Sequence, residues 1–198
     1  MKPSQTPDWQ SIPGWCSPVE ADYLYQLAAG LDQNDRIVEV GSYLGRSAFA
    51  IGLGCRESGA RLITIDHLRG NPEHQIKPTC EGLRQNLARL GVLDWVEIMA
   101  CEAREAAENI ERPIHALFID DQHDYGNVMR TSSAFIPRLI SGGHVLWHDA
   151  IGHGWIGVER AVSEITKLWH MQHVVPHQMR GSISHWRLTG PTGCKAYG

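Results

Sequence analysis

The chain has 198 residues, of which 42% are hydrophobic, and its formal net charge is −4. This size and composition predict one folded domain and exclude a disordered chain. The acidic balance, with no basic run in the sequence, argues against binding to nucleic acid or to an anionic membrane. No stretch reaches the roughly 18 apolar residues of a membrane-spanning helix.

The cysteines indicate a reducing environment. Five cysteines are present, an odd number, and none forms a C-x-x-C pair. This pattern argues against a disulfide framework and against a cysteine zinc site. The N-terminus also lacks the apolar centre of a secretory signal. We therefore expect a cytoplasmic protein.

The first element along the chain is an arm followed by a capped helix. Residues 1–16 carry Pro and Gly without a period and predict a coil arm. Ser17 suits the N-cap of a helix, Pro18 its first position, and Glu20 the reciprocal position of a capping box. Gly30 is the expected C-terminal stop.

Strand and helix patterns then alternate. Short apolar runs predict strands at 36–40, 61–65, 95–99, 115–119 and 144–147, and amphipathic segments predict helices at about 44–56, 81–90, 103–110, 127–139 and 158–168. The end of the chain differs, because 170–175 and 182–188 predict two strands joined by a turn. The whole pattern predicts an α/β fold with a doubly wound, mostly parallel seven-stranded sheet and an antiparallel C-terminal hairpin strand. We expect a single domain over 17–190 and a tail over 191–198.

Acidic or imidazole side chains follow most of the predicted strands. In an open α/β sheet, ligands bind beyond the carboxyl ends of the strands, so these positions are the candidate site. They are Glu39 at the end of the first strand, Asp66-His67 after the second, Glu102 after the third, Asp120 to His123 after the fourth, and His148-Asp149 after the fifth.

The loop after the first strand does not suit a dinucleotide. Its spacing is Gly41-x-x-x-Gly45, with Tyr43 between, in place of Gly-x-Gly-x-x-Gly. Glu39 would repel a pyrophosphate, but it can accept hydrogen bonds from an ammonium group. Asp66 lies about 20 residues further on, the separation at which an acid meets ribose hydroxyls. An adenosine ligand with a cationic amino-acid end fits these residues.

The segments VEVGSYLGRSA, TIDH, FIDDQHDY and GGHVLWHD, in this order, resemble the class I S-adenosylmethionine-dependent methyltransferases. The resemblance is to methyltransferase family 24 and to small O-methyltransferases of the catechol, macrocin and cephalosporin-tailoring type. It covers residues 17–188. It implies a Rossmann-like methyltransferase fold with S-adenosylmethionine as cofactor.

The resemblance also implies roles for individual residues. Those that would surround the methionine part of the cofactor are Glu39, Gly41, Ser42, Tyr43, Gly45, Ser47 and Asp120. Asp66 would hold the ribose hydroxyls, and the adenine would lie beside His67, Glu102 and Ala103.

In metal-dependent members of the family, the acid at Asp120 ligates magnesium, and His148-Asp149 falls where those members carry further oxygen ligands. The expected metal ligands are therefore Asp120, His148 and Asp149, with magnesium or manganese bound. Nitrogen ligands suit manganese, iron or zinc better than magnesium. Without a metal, His123 or His148 would be the general base. A further alternative is that Asp120, His148 and Asp149 form a hydrogen-bonded polar cluster that only lines the cofactor pocket.

The expected activity is O-methylation of a small-molecule hydroxyl on a sugar, a phenol or another natural product, with Asp120, His123, His148 and Asp149 as catalytic residues. Two alternatives stay open: a nicotinamide-dependent oxidoreductase, and a tailoring protein that keeps the fold without methyl transfer. We expect no nucleic-acid or membrane partner, and leave open whether the chain forms a homo-oligomer. Trp155 is a candidate acceptor contact, and Trp9 and Trp15 are expected to cover the acceptor site or to pack on a partner subunit.

Overall fold

The computed structural model describes residues 2–6, 8–70, 77–111, 113–174 and 180–190. The predicted tail at 191–198 and part of the predicted C-terminal turn lie outside these residues. None of the described helices is long and apolar enough to cross a membrane.

The described residues form one seven-stranded sheet in the order β3-β2-β1-β4-β5-β7-β6. The strands are β1 Arg36–Val40, β2 Arg61–Ile65, β3 Val96–Met99, β4 Ile114–Ile119, β5 Leu139–Trp147, β6 Met171–His173 and β7 Ser184–Leu188. Strands β1 to β5 pair in parallel, whereas β7 is antiparallel to both of its neighbours. The predicted fold class is confirmed.

Helices cover both faces of this sheet. They are α1 Pro18–Ala29, α2 Arg46–Ser58, α3 Cys80–Arg89, α4 Ala103–Asn109, α5 Tyr125–Phe135 and α6 Ile156–Leu168. Alternate strand residues supply two separate cores: Leu62 and Phe118 pack with α1, α2 and α3, and Ile65 and Trp147 pack with α4, α5 and α6. Because both faces are covered, the inner strands are apolar on successive residues.

Two predicted boundaries differ from the structure. Helix α5 ends at Phe135, followed by a short 3-10 turn over Ile136–Arg138, and β5 begins at Leu139. Pro137 explains the early helix end, since proline lacks the backbone N–H that a continuing helix would donate. The glycines at 142 and 143 weakened the strand pattern there, although β5 passes through them.

The N-terminal arm is more ordered than the predicted coil, and Trp9 lies in the core and not over the acceptor site or on a partner, whereas the predicted role of Trp15 stays a prediction. It contains 3-10 turns at Pro3–Gln5 and Trp9–Ser11. Trp9 is fully buried in the core beside α1 and α2, and its indole N–H donates to the Arg46 carbonyl at 3.0 Å. Trp15 remains exposed, with its ring 5.4 Å from that of Tyr43.

Candidate active site

The carboxyl ends of the central strands converge at one edge of the sheet. Backbone hydrogen bonds continue past the strand ends, from Gly41 N to Ile65 O at 2.8 Å and from Asp120 N to Val40 O at 2.8 Å. His148 N extends the same ladder by donating to Ile119 O at 3.0 Å. The loops after β1, β4 and β5 therefore begin side by side.

The loop after β1 requires glycine at both ends. Gly41 has φ +92°, and a Cβ on it would lie 2.0 Å from the Asp120 carbonyl oxygen. Gly45 has φ +91°, and a Cβ there would lie 2.6 Å from a Leu83 methyl group. Side chains are excluded by backbone conformation and by space, so α2 begins close against the ends of β1 and β4.

The Asp66 carboxylate holds this loop from the neighbouring strand end. One of its oxygens accepts from Ser42 N at 3.0 Å and Tyr43 N at 2.8 Å, and the other accepts from Leu68 N at 2.7 Å. Asp66 thus shapes the candidate cofactor loop directly. Its predicted contact with ribose hydroxyls stays a prediction.

Glu39 is a fully buried carboxylate beneath the loop. Its Oε2 accepts from the Thr64 hydroxyl at 2.5 Å, while its Oε1 has no hydrogen-bond partner among the described residues. Burial raises the pKa of Glu39 to about 7, against the opposing effect of the nearby Ser47 hydroxyl and of the hydrogen bond from Thr64. The Ser42 hydroxyl is also buried without a partner in the described part of the chain.

The predicted adenine-side residues lie on the loops after β2 and β3. His67 Nδ1 accepts from Arg69 N at 3.0 Å, and the Arg69 side chain forms an ion pair with Glu102. Glu102 is the N-cap residue of α4, and Ala103 is the first residue of that helix. The structure places these groups at the strand ends, as expected, and their contact with adenine stays a prediction.

The loops after β4 and β5 bring three potential metal ligands together. One ligand atom from each of Asp120, His123 and Asp149 lies within 4.8 Å of the other two. His123 Nε2 is 3.0 Å from an Asp149 oxygen and 4.0 Å from Asp120 Oδ1. His153 Nδ1 contacts the other Asp149 oxygen at 2.5 Å. His123 joins the two carboxylates in this group. The predicted ligand His148 also lies close to them, with Nδ1 3.1 Å from Asp120 and 3.4 Å from Asp149, and its metal ligation stays a prediction.

His148 is buried behind these residues. Its Nε2 lies 3.3 Å from Glu20 Oε2, and its Nδ1 lies 3.1 Å from Asp120 Oδ1. Neither ring nitrogen has a well-aligned hydrogen bond to another described residue, so these contacts are electrostatic. Burial opposes protonation, but the Asp120 charge and the adjoining carboxylates outweigh it and raise the pKa of His148 above its usual range.

The contacts among these histidines and carboxylates also shift the pKa values of Asp149 and His123. Burial disfavours the charged form of Asp149, but the hydrogen bond from His123 and the charge of the nearby His148 ring outweigh it and hold the Asp149 pKa well below its usual range. The hydrogen bond to Asp149 raises the pKa of His123, against the opposing effect of burial. The pair is therefore an ionised carboxylate beside a more basic imidazole.

Aromatic side chains border the site. The Trp155 ring stacks on His123 with centroids 4.5 Å apart and an interplanar angle of 27°. Trp155 is 47% exposed, so the far face of its ring remains open to solvent. The stack restricts rotation of the His123 ring. It also places an apolar wall beside the carboxylates.

Sequence reasoning missed Glu20 and Ser182 as parts of the site. Glu20 was assigned only to the capping box, which the structure confirms, but its carboxylate is also buried against His148 and Ser182. These contacts join residues 162 positions apart, from Glu20 to Ser182. No local pattern signals them.

A family model described as a methyltransferase domain, of methyltransferase family 24, matches residues 38–150. The chain belongs to this methyltransferase family. The match spans the glycine loop, Asp66, Asp120 and Asp149, so the resemblance noted from the sequence is confirmed. Membership argues against the nicotinamide-dependent alternative.

Solved structures show the same fold. Cofactor-bound Rv0187 from MTB aligns with a TM-score of 0.71 at 19% identity, over 94% of this chain and 86% of that chain. The O-methyltransferase NovP aligns with a TM-score of 0.71 at 15% identity, over 89% of this chain and 84% of that chain. The O-methyltransferase from Bacillus cereus in complex with SAH aligns with a TM-score of 0.66 at 19% identity, over 90% and 85%.

Proposed function

We propose that this methyltransferase moves the methyl group of S-adenosylmethionine to a hydroxyl group of a small molecule. The observation that carries the proposal is the buried Glu39 Oε1, which lacks a partner among the described residues and lies beneath a loop that excludes side chains at Gly41 and Gly45. An unpartnered buried carboxylate oxygen is unfavourable unless a ligand donor meets it. The ammonium group of a methionine moiety is such a donor.

The remaining cofactor residues fit the same ligand. The Ser42 hydroxyl, also without a partner in the described structure, can bind the amino-acid end. Asp66 holds the loop and lies at the end of β2, where it can reach ribose hydroxyls. The Bacillus cereus structure, which is named an O-methyltransferase and contains SAH, supports both the cofactor and a hydroxyl acceptor.

The bound cofactor supplies a methyl group on a positively charged sulfur, which is a reactive donor for in-line displacement. The protein therefore has to align the acceptor oxygen and remove its proton. His123 Nε2 hydrogen-bonds to Asp149 at 3.0 Å, and its neutral form can take the proton from the hydroxyl. The His123 ring would then hold the proton of the acceptor hydroxyl.

The donor set of Asp120, His123 and Asp149 also fits a divalent cation. Two carboxylates and one imidazole within 4.8 Å of one another suit manganese better than magnesium, because magnesium prefers oxygen ligands. A bound cation would lower the pKa of the acceptor hydroxyl. His123 would then be a ligand, and another group would take the proton.

The test combines radiolabelled methyl transfer with chelation. We expect the purified chain to transfer label from S-adenosylmethionine to members of a panel of phenols and sugars. Absence of transfer to the whole panel, with SAH still bound, would favour the non-methylating alternative. A thermal shift with NAD but not with SAH would contradict the cofactor assignment.

Chelation then distinguishes the two roles of His123. If a metal is required, EDTA will abolish transfer, added Mn²⁺ or Mg²⁺ will restore it, and Asp149→Ala will prevent the rescue while SAH affinity is retained. Turnover that is unchanged in EDTA excludes the metal and leaves His123 as the base.

We further propose that the acceptor is a small molecule and not a nucleic acid, because the candidate site is bordered by acidic side chains. The reducing location expected from the sequence is supported by the free thiols of Cys16, Cys55, Cys80 and Cys101.

A further inference from the structure

Asp149 has a backbone conformation that residues other than glycine rarely adopt. Its φ is +53°, in the left-handed region, where non-glycine residues are strained and persist only when their surroundings hold them there. The residue is also 8% exposed. This conformation directs its carboxylate toward His123 and Asp120, so the groups that hold it determine the geometry of the site.

Ser182 holds the main chain at this point. Asp149 N donates to Ser182 Oγ at 3.2 Å, and the next amide, Ala150 N, donates to the Ser182 carbonyl at 3.1 Å. Ser182 precedes β7, so the connection between β6 and β7 supports the loop that leaves β5. Two consecutive amides of the strained turn are satisfied by one residue.

Glu20 fixes the Ser182 hydroxyl in the orientation that this contact needs. Glu20 Oε1 accepts from Ser182 N at 2.8 Å and from Ser182 Oγ at 2.7 Å. The hydroxyl proton therefore points to Glu20, and an oxygen lone pair remains for Asp149 N. The adjacent Gly181 permits this approach, because a Cβ on it would lie 2.5 Å from Glu20 Oε1.

The other half of the Glu20 carboxylate is held by the start of α1. Its Oε2 accepts from Ser17 N and Ser17 Oγ, both at 2.8 Å, and lies 3.3 Å from His148 Nε2. With four hydrogen bonds and 2% exposure, Glu20 does much more than close a helix cap. A capping box needs only the contacts to Ser17.

We propose that Glu20 and Ser182 are positioning residues that hold the Asp149 main chain so that its carboxylate faces His123 and Asp120. Neither residue contacts reacting atoms. The proposal rests on the site described under Proposed function, but it concerns the geometry of the protein alone. It can therefore be tested without cofactor, acceptor or metal.

The experiment compares two alanine variants that each remove one hydroxyl donor from Glu20. Ser182→Ala also removes the acceptor for Asp149 N, whereas Ser17→Ala leaves Asp149 untouched and is the matched control. The readouts are the NMR titration midpoint of the His123 ring and the Asp149 conformation in crystal structures of both variants. Stability is measured alongside by urea denaturation.

We expect the His123 midpoint to fall by about one pH unit in Ser182→Ala, because a displaced Asp149 no longer stabilises the imidazolium, and to stay at the wild-type value in Ser17→Ala. Asp149 should leave the left-handed region only in Ser182→Ala, and Ser182→Thr should restore both readouts. If Ser182→Ala does not fold, Ser182→Cys, which keeps the size but accepts hydrogen bonds weakly, takes its place.

A His123 midpoint and an Asp149 conformation unchanged from wild type in the Ser182 variants would overturn the proposal. So would equal changes in the Ser17 and Ser182 variants, since they would show a general effect of the Glu20 cap. Failure of methyl transfer in the wild type would contradict the proposed function and leave this result standing.

Discussion

Glu39 combines complete burial with a carboxylate oxygen that has no partner among the described residues. We predict that Glu39→Gln will weaken SAH binding at least tenfold, since a charge-assisted hydrogen bond contributes about 1.5–3 kcal/mol and ~1.4 kcal/mol corresponds to one decade. The same change should leave the free energy of unfolding equal or higher, because it removes a carboxylate that burial disfavours. Calorimetry and urea denaturation measure the two effects. Equal SAH affinity in the two proteins would remove Glu39 from the site.

Asp66 should affect cofactor binding through the loop as well as through any direct contact. Removing its carboxylate leaves the amides of Ser42, Tyr43 and Leu68 without their acceptor. We therefore predict that Asp66→Ala weakens SAH binding at least about tenfold by calorimetry. Asp94→Ala, an exposed aspartate away from the strand ends that face the loop, is the control. Wild-type affinity in Asp66→Ala with the fold intact would contradict the assignment.

At this residue scale, the sequence predicted the parts of the site that follow strands. Asp120 and Asp149 could be placed together because β4 and β5 are neighbours and parallel. The arrangement of the imidazoles could not be predicted, since it depends on how the loops turn after the strands. His123 faces Asp149 because α5 begins directly beyond it. The His148 ring lies between Glu20 on one side and the carboxylates of Asp120 and Asp149 on the other.

At the element scale, the turn from β1 into α2 is the tightest packed part of the site. We predict that Gly41→Ala destabilises the protein well beyond the roughly 1 kcal/mol of left-handed strain, because its Cβ would lie 2.0 Å from the Asp120 carbonyl oxygen. Gly152→Ala is a matched control, since Gly152 also has positive φ, at +77°, but has nothing within 4 Å of the added atom. Urea denaturation should show a much larger loss for Gly41→Ala. Equal losses would mean that the loop relaxes and that close packing there is unimportant.

Helix and strand types were predictable at this scale because each carries a local signal. The Ser17–Glu20 capping box and the stop at Gly30 predicted the two ends of α1 most clearly. The arm was predicted less well, since its buried residues, such as Trp9 and Ile12, have no periodic spacing. Their burial depends on a groove beside α2 that forms only when the chain has folded.

At the scale of the whole molecule, strand alternation predicted a parallel sheet but did not give the strand order. The insertion of β7 between β5 and β6 follows from long-range pairing. That pairing has a consequence for stability, because it places His144 and His185 side by side in the sheet. His144 Nδ1 is 2.8 Å from His185 Nε2, and the Tyr23 hydroxyl is 2.6 Å from His185 Nδ1.

Burial lowers the pKa of His144 to about 4 and that of His185 to about 3, with nearby Arg187 adding to the effect on both. Both folded-state values lie below the unfolded value near 6.5. Between these values the unfolded chain binds more protons than the folded chain. The stability that these groups contribute is therefore present above about pH 6.5 and is lost as the pH falls.

We predict that the double variant H144Q/H185Q will lose less stability than the wild type between pH 6.5 and 4.5, as measured by urea denaturation at several pH values. Each histidine contributes up to about 1.4 kcal/mol per pH unit to the dependence of the free energy of unfolding on pH.

Glu39 acts in the opposite direction. Its folded pKa is raised to about 7, so it takes up a proton on folding between pH 6.5 and 4.5 and stabilises the folded chain as the pH falls. It is present in both proteins, so the difference between their curves isolates the histidine pair. If the free energies of unfolding of the double variant and the wild type fall in parallel with pH, the prediction is contradicted. His144 and His185 would then be protonated as readily in the folded chain as in the unfolded chain, and the β5–β7 contact would open to solvent on acidification without loss of stability.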